Sequence, residues 1–140
     1  MISFSIPTLG GQSLSSNAGG AKRHPFAISA AKNALGEAAY FSALAACGPV
    51  IRTIEGRVDI ALTFYICHGK KPGDGLYRFT DPSNGGGDVA KPILDYGLVK
   101  TGLIEDDDYK HVRYFITSVE HVETLAEERI EVQVNEVIDA

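Results

Sequence analysis

The chain is poor in the features that assign a protein to a class at once. Its 140 residues hold two cysteines, Cys47 and Cys67; they stand alone with no metal-ligand spacing and read as two core thiols. No apolar run approaches the roughly 20 residues that a spanning helix needs, so no membrane segment is expected. Met1 to Leu9 has neither a basic start nor a long apolar core, which makes a cytoplasmic protein without signal peptide the expectation. Positive charge is also short: 13 Lys+Arg face 18 Asp+Glu, a net −5 that is unusual for a protein that binds a polyanion. The triple glycine Gly85-Gly86-Gly87 lacks the Gly-Lys-Ser/Thr ending of a P-loop. The surrounding DPSNGGGD lacks the downstream glutamate and spacing of an EF-hand. No serine or cysteine has a convincing histidine partner, and there are no repeats or heptads.

What is present fits one domain over residues 1–140, with 44% hydrophobic residues to build a single modest core. Ile2, Phe4 and Ile6 alternate with serines as a strand with one buried face. A Gly/Ser/Asn-rich loop runs from Gly10 to Gly20, followed by the basic cluster Lys22, Arg23 and His24. Pro25 to Ala46 reads as a helix with Ile28, Ala31, Leu35, Ala38, Ala39 and Ser42 on a small-residue face, ended by Gly48-Pro49. Val58 to Ile66 alternates strictly, the clearest strand in the chain. The loop His68 to Gly73 carries Lys70 and Lys71, and Tyr77 and Phe79 flank Arg78 in a possible short strand. Each of these basic groups reads either as a solvated surface or as a phosphate contact. After residue 111, Val112, Tyr114 and Ile116 alternate as a further strand; Glu120 to Glu128, with His121, reads as an acidic connection; and Ile130, Val132 and Val134 form the last strand. Lys110 and His111 cap a turn or touch phosphate at the strand's start. The order strand, helix, strand, helix, strand, strand implies an α/β or α+β domain, a small mixed sheet with two main helices on one face.

The most informative stretch is Asp81 to Val112. It holds seven of the eighteen acids, including Glu105-Asp106-Asp107-Asp108, with Lys91 between its acidic ends. Val89, Ile93, Leu94 and Leu98 form a helical stripe, with Asn84 or Asp88 as cap, Pro92 in the first turn and Gly102 as the stop. Lys91 and Asp95 then share a face at i and i+4. A crossover between neighbouring strands would bring Asp81 and the acidic run to one edge. Two carboxylates about 4 Å apart repel by roughly 4 kcal/mol at an effective dielectric near 20, so a counter-charge is required. Such acids either solvate a loop or hold a hard cation such as Mg²⁺, which takes oxygen ligands. A held cation can activate water for phosphodiester hydrolysis, with a lysine offsetting the phosphate charge.

These residues resemble the RusA family of Holliday junction resolvases. The family's pattern is an Asp-x-Asp-Asn turn, a lysine, an aspartate four residues on, a glycine, an Asp-Asp pair and a valine opening a strand. Here Asp81-Pro82-Ser83-Asn84, Lys91, Asp95, Gly102, Asp106-Asp107 and Val112 are similar to it. The segment SLSSNAGGAKRH, residues 13–24, is also similar to the family's Ser/Pro-Asn opening, and the resemblance covers most of the chain while being dense only over residues 81–112. It implies a RusA-like fold and a homodimeric, Mg²⁺-dependent endonuclease, Mn²⁺ serving in place of Mg²⁺. Such an enzyme cuts four-way or otherwise branched DNA in recombination and repair, in phage or prophage settings. By the same resemblance Asp81, Asp107 and Lys91 are catalytic, with Asp81 and Asp107 as metal ligands. Asn84, Asp95 and Asp106 support them, and Lys22, Arg23, Lys70, Lys71 and Arg78 contact DNA. Ser83 stands where the family has its second acid. Asp88, after the inserted glycines, is the replacement ligand, and Asp108 is the alternative to Asp107. A catalytically weak or inactive DNA-binding or interaction module is the alternative reading.

Charge is unevenly distributed. Residues 1–80 carry eight Lys+Arg against four acids (+4), residues 81–113 four against seven (−3), and residues 114–140 one against seven (−6). Any phosphate backbone must avoid the acidic tail.

Overall fold

In the computed structural model, residues 1–7, 25–67 and 90–138 are described, with the backbone alone at 25–32, 67 and 125. Four strands form one mixed sheet: β1 (Ile2–Pro7), β2 (Val58–Cys67), β3 (Val112–Val122) and β4 (Arg129–Glu136), ordered β1-β4-β2-β3. β4 pairs antiparallel with both β1 and β2, whereas β2 and β3 are parallel neighbours. Parallel neighbours require a crossover. The segment between β2 and β3 contains the second helical element, which is the strand–helix–strand unit expected from the sequence.

Alternation places the core. Phe4 and Ile6 of β1, Val58, Ile60, Leu62, Phe64 and Ile66 of β2, and Ile130, Val132 and Val134 of β4 are all buried in one cluster. Ser3, Ser5, Glu131 and Gln133 belong to the opposite, polar face, as period-2 geometry demands. Helix α1 (Pro25–Cys47) covers the apolar face through Leu35, Ala39 and Ala43. The buried stripe is rotated from the expected one: Ala38 and Ser42 are half-buried flanks and Ala43 is central. Gly48, at φ +83°, stops α1 and donates its N–H to the Leu44 carbonyl at 3.0 Å, a left-handed terminus that suits glycine.

The second helix departs from its expected form. Ala90, Lys91 and Pro92 are α-helical, but Ile93–Val99 is a π helix, and the Lys100 N–H reaches the Asp95 carbonyl at 2.8 Å. The stripe survives, with Ile93 and Leu98 fully buried and Leu94 packed at the core margin. The wide turn packs closely against α1. A Cβ on Gly97 would come within 3.2 Å of Ala39 Cβ, and one on Gly36 within 2.6 Å of the Tyr96 ring. A π turn is a recurrent local device at functional sites.

β3 also differs from expectation. It extends to Val122, so Glu120 and His121 belong to the strand rather than to the connection. The residues between its ends are exposed on both faces, whereas the core that α1 and the π helix join draws its buried strand residues from β1, β2 and β4. The segments expected to include Asp81, Ser83, Asn84 and Asp88, the strand around Arg78, and the basic groups Lys22, Arg23, Lys70 and Lys71 lie outside the described residues. Among the described residues no helix is long and apolar enough to cross a membrane.

Candidate functional site

The acidic run is held as a turn leading into β3. Leu103 and Ile104 are buried anchors. Ile104 donates to the Leu98 carbonyl at 3.1 Å and Ile54 to the Leu103 carbonyl at 2.8 Å, tying the segment to the helix and to the approach of β2. Gly102 sits at φ +83°, and its carbonyl accepts the Thr53 hydroxyl at 2.6 Å. Beyond Ile104 the chain emerges to solvent with Glu105 and Asp106 exposed and Asp107 and Asp108 half-buried. The turn closes when the N–H groups of His111 and Val112 donate to the Asp108 carbonyl at 3.0 and 2.9 Å. The His111 carbonyl accepts from Val58, which fixes the start of β3 beside β2.

This geometry brings Lys91 to Asp107. Lys91 Nζ donates to Asp107 Oδ2 at 2.8 Å and lies 3.2 Å from Asp95 Oδ1. The second contact is the i, i+4 pair read from the sequence; the first crosses from the helix to the acidic turn. The Asp107 N–H donates to Asp106 Oδ1 at 2.8 Å, which orients the peptide carrying Asp107. Asp107 keeps 21% of its side-chain surface exposed and Lys91 62%, so the pair is open to a solute. Hydrogen bonding to Lys91 holds the Asp107 carboxyl below its ordinary range. Asp107, and then Asp95, raise the Lys91 ammonium above its ordinary value. Lys91 is thereby kept cationic.

Asp108 turns elsewhere. Its Oδ1 lies 2.5 Å from His111 Nδ1 and accepts the Lys110 N–H at 3.1 Å, while His111 Nε2 lies 3.3 Å from Glu105 Oε2. The imidazole is raised from its ordinary value by Asp108 first and Glu105 after it, and Asp108 is lowered by His111. His111 is therefore a turn residue clamped by two acids. Its i, i+3 spacing from Asp108 was the available sequence signal. A third pair, Arg113 with Asp59, is bidentate at 3.0 and 2.6 Å at the bulge where β3 leaves the acidic turn.

Five of the sequence-derived site residues are thus described. Lys91, Asp95, Asp106 and Asp107 form one cluster, and Asp108 faces the neighbouring histidine. Chemically the cluster offers hard carboxylate oxygens, which suit Mg²⁺, an ion that takes one or two carboxylates and keeps several waters. Among the described residues no group of three His, Cys, Asp or Glu side chains converges on one point; Asp81 and Asp88 are outside that set. A cavity of about 630 Å³ lies among Met1, Ile2, Arg52, Glu55 and Glu136. It includes no member of the Lys91 cluster. No protein-family model and no curated protein matches the chain.

Proposed function

We propose that the chain is a Mg²⁺-dependent, structure-specific endonuclease that hydrolyses phosphodiester bonds in branched DNA, of the kind the RusA resemblance implies. The observation that supports it is the 2.8 Å contact between Lys91 and Asp107. A lysine and an aspartate singled out by their motif positions, sixteen residues apart, meet on an open surface with Asp95 and Asp106 in support.

In this reading Asp107 is one metal ligand, with Asp81 and Asp88 as the others, and Mn²⁺ substitutes for Mg²⁺. The ion, when bound, lowers the pKa of water and screens the phosphate. Lys91, held protonated, neutralises charge that develops on the phosphate oxygens. Asp95 holds the lysine's ammonium over the site, and Asp106 fixes the Asp107 backbone. Lys22, Arg23, Lys70, Lys71 and Arg78, all in the net-positive first part of the chain, track the backbone. The enzyme acts as a homodimer, one site per subunit, and serves recombination and repair in a phage or cytoplasmic setting.

A second reading, a junction-binding or interaction module without catalysis, has its own observation. Lys91 already supplies a cation to Asp107, and His111 a hydrogen-bonding partner to Asp108, so the acidic turn is not compelled to bind metal. Ser83 at the family's acidic position agrees with it. Incubating the protein with a synthetic four-way junction and a matched duplex in Mg²⁺, beside Asp107→Asn, separates the two. Nicks in the junction that vanish in the variant support the enzyme. A shifted but intact junction supports the module and ends the enzymatic reading.

A further inference from the structure

Where α1 meets the π helix, three aromatic rings and a lysine adjoin in a row at the surface. Tyr96 begins it, its ring laid against Gly36 so closely that a Cβ there would meet Cδ2 at 2.6 Å. Lys100 follows, with Nζ 4.9 Å from the centre of the Tyr96 ring and 5.7 Å from that of Tyr40. Tyr40 meets Phe41 edge to face, centroids 5.3 Å apart and planes at 82°. Phe41 ends the row, 64% exposed. Lys91, Arg113 and Arg129 are paired with carboxylates. Lys100 has none within ion-pair distance among the described residues and rests, exposed, on the two tyrosine rings.

We infer that this row seats an unpaired nucleotide of DNA, the base stacking on Phe41 and a neighbouring phosphate taken by Lys100. Aromatic rings beside a backbone-tracking cation are the means by which single strands are held, and the ring accepts any base because every base has a π face. A base inside a duplex is already covered on both faces, so the seat selects unpaired ones. The exposed neighbours of Phe41 along α1 are Ala34, Glu37 and Ala45, small or charged, which leaves no contiguous apolar patch there for a protein partner. Glu37, the one acid of α1, precedes Phe41 by a turn. It repels phosphate from that side, so the backbone runs on the side of Lys100.

The seat deepens the nuclease reading and rests on it for its relation to the cut. The Lys100 N–H donates to the Asp95 carbonyl at 2.8 Å, and the Asp95 carboxylate lies 3.2 Å from Lys91 Nζ, so the row adjoins the Lys91 cluster. From Lys91 to Lys100 the helix advances no more than about 13 Å at about 1.5 Å per residue. A stacked strand covers that in about four nucleotides at about 3.4 Å each. The substrate is therefore DNA with an unpaired base close to the scissile phosphate, as a branch point supplies.

Fluorescence anisotropy on the full-length protein, with metal withheld, tests the seat apart from cleavage. Wild type is expected to bind a labelled oligothymidine, which has no pairing of its own. Phe41→Ala should weaken that binding about fivefold or more while leaving affinity for a duplex of equal length, and the far-UV spectrum, unchanged. Phe41→Tyr, which keeps a ring, should restore it. Lys100→Met should flatten the salt dependence of log affinity by about 0.7, the share of one single-strand phosphate. A wild type that does not bind oligothymidine overturns the inference. So does a Phe41→Ala protein that binds it as wild type does or weakens on oligothymidine and duplex alike, or an unchanged slope in Lys100→Met. Junction cleavage in Mg²⁺ is scored separately: the expected single-strand binding without cleavage keeps the seat and discards the nuclease, and cleavage with Phe41→Ala binding unimpaired does the reverse.

Discussion

At the scale of single residues, the two ion pairs of the acidic turn make opposite pH predictions. Asp107 is depressed by Lys91; its contribution to stability is present above the unfolded value of about 3.9 and lost as pH falls through the lower folded value. Lys91 is raised, so its contribution persists below about 10.4 and fades as pH climbs through the folded value. The pair is partly exposed, and exposed pairs contribute at most about 1 kcal/mol. Lys91→Met should therefore cost no more than about that in urea unfolding at neutral pH, with the difference shrinking in acid. His111 runs the other way. Its folded value is raised, so its contribution is complete below about 6.5 and lost as pH rises through the folded value. An NMR titration should place the His111 midpoint above that reference, and Asp108→Asn should move it down; an unmoved midpoint would remove Asp108 as the cause. Lys91–Asp95 could be read from spacing alone, since i and i+4 share a helical face. Lys91–Asp107 could not, because the path from helix to turn depends on how Leu103 and Ile104 are buried. The family pattern named both residues for one site but did not pair them. Asp108 was ranked beneath Asp107 as a ligand; in the fold each already has a partner, His111 for Asp108 and Lys91 for Asp107.

At the scale of elements, the helix–helix contact is the most exacting. Gly36→Ala would ordinarily stabilise a helix by about 1 kcal/mol. Here its Cβ meets the root of the Tyr96 ring, at 2.8 Å from Cγ, and overpacking of this kind costs about 1–3 kcal/mol. Gly36→Ala should therefore be neutral to destabilising in wild type and become stabilising in a Tyr96→Ala background. A double-mutant cycle by denaturant unfolding reads the change of sign, and additive effects would refute the contact. Gly102, at φ +83°, should lose about 1–2 kcal/mol on replacement by alanine, because a Cβ is strained there. The strands β1, β2 and β4 were legible because one face of each is buried, which imposes period 2 on the sequence. The π turn was not, since its stripe of Ile93, Leu94 and Leu98 fits an α helix equally well and the distinction lies in Gly97 against Ala39. The length of β3 was also hidden: Glu120 and His121 look like connection residues, and only a strand exposed on both faces tolerates them.

For the whole molecule, the acidic turn falls along the sequence between a positive first part and a strongly negative C-terminal part. A DNA ligand steered by the first part should bind with a steep salt dependence. Glu131 and Glu136 on β4, and Glu120 on β3, belong to the sheet, so their field is fixed by the fold rather than carried on a free tail. We propose that Lys91 and Asp107 act together on a phosphodiester. The most direct test compares wild type, Lys91→Met and Asp107→Asn on one end-labelled four-way junction, with Mg²⁺ added and withheld. Metal-dependent nicks at symmetric positions in wild type, lost in both variants while the junction is still bound, are the predicted result. Nicks that persist in both variants, or a wild type that leaves the junction whole, would contradict it.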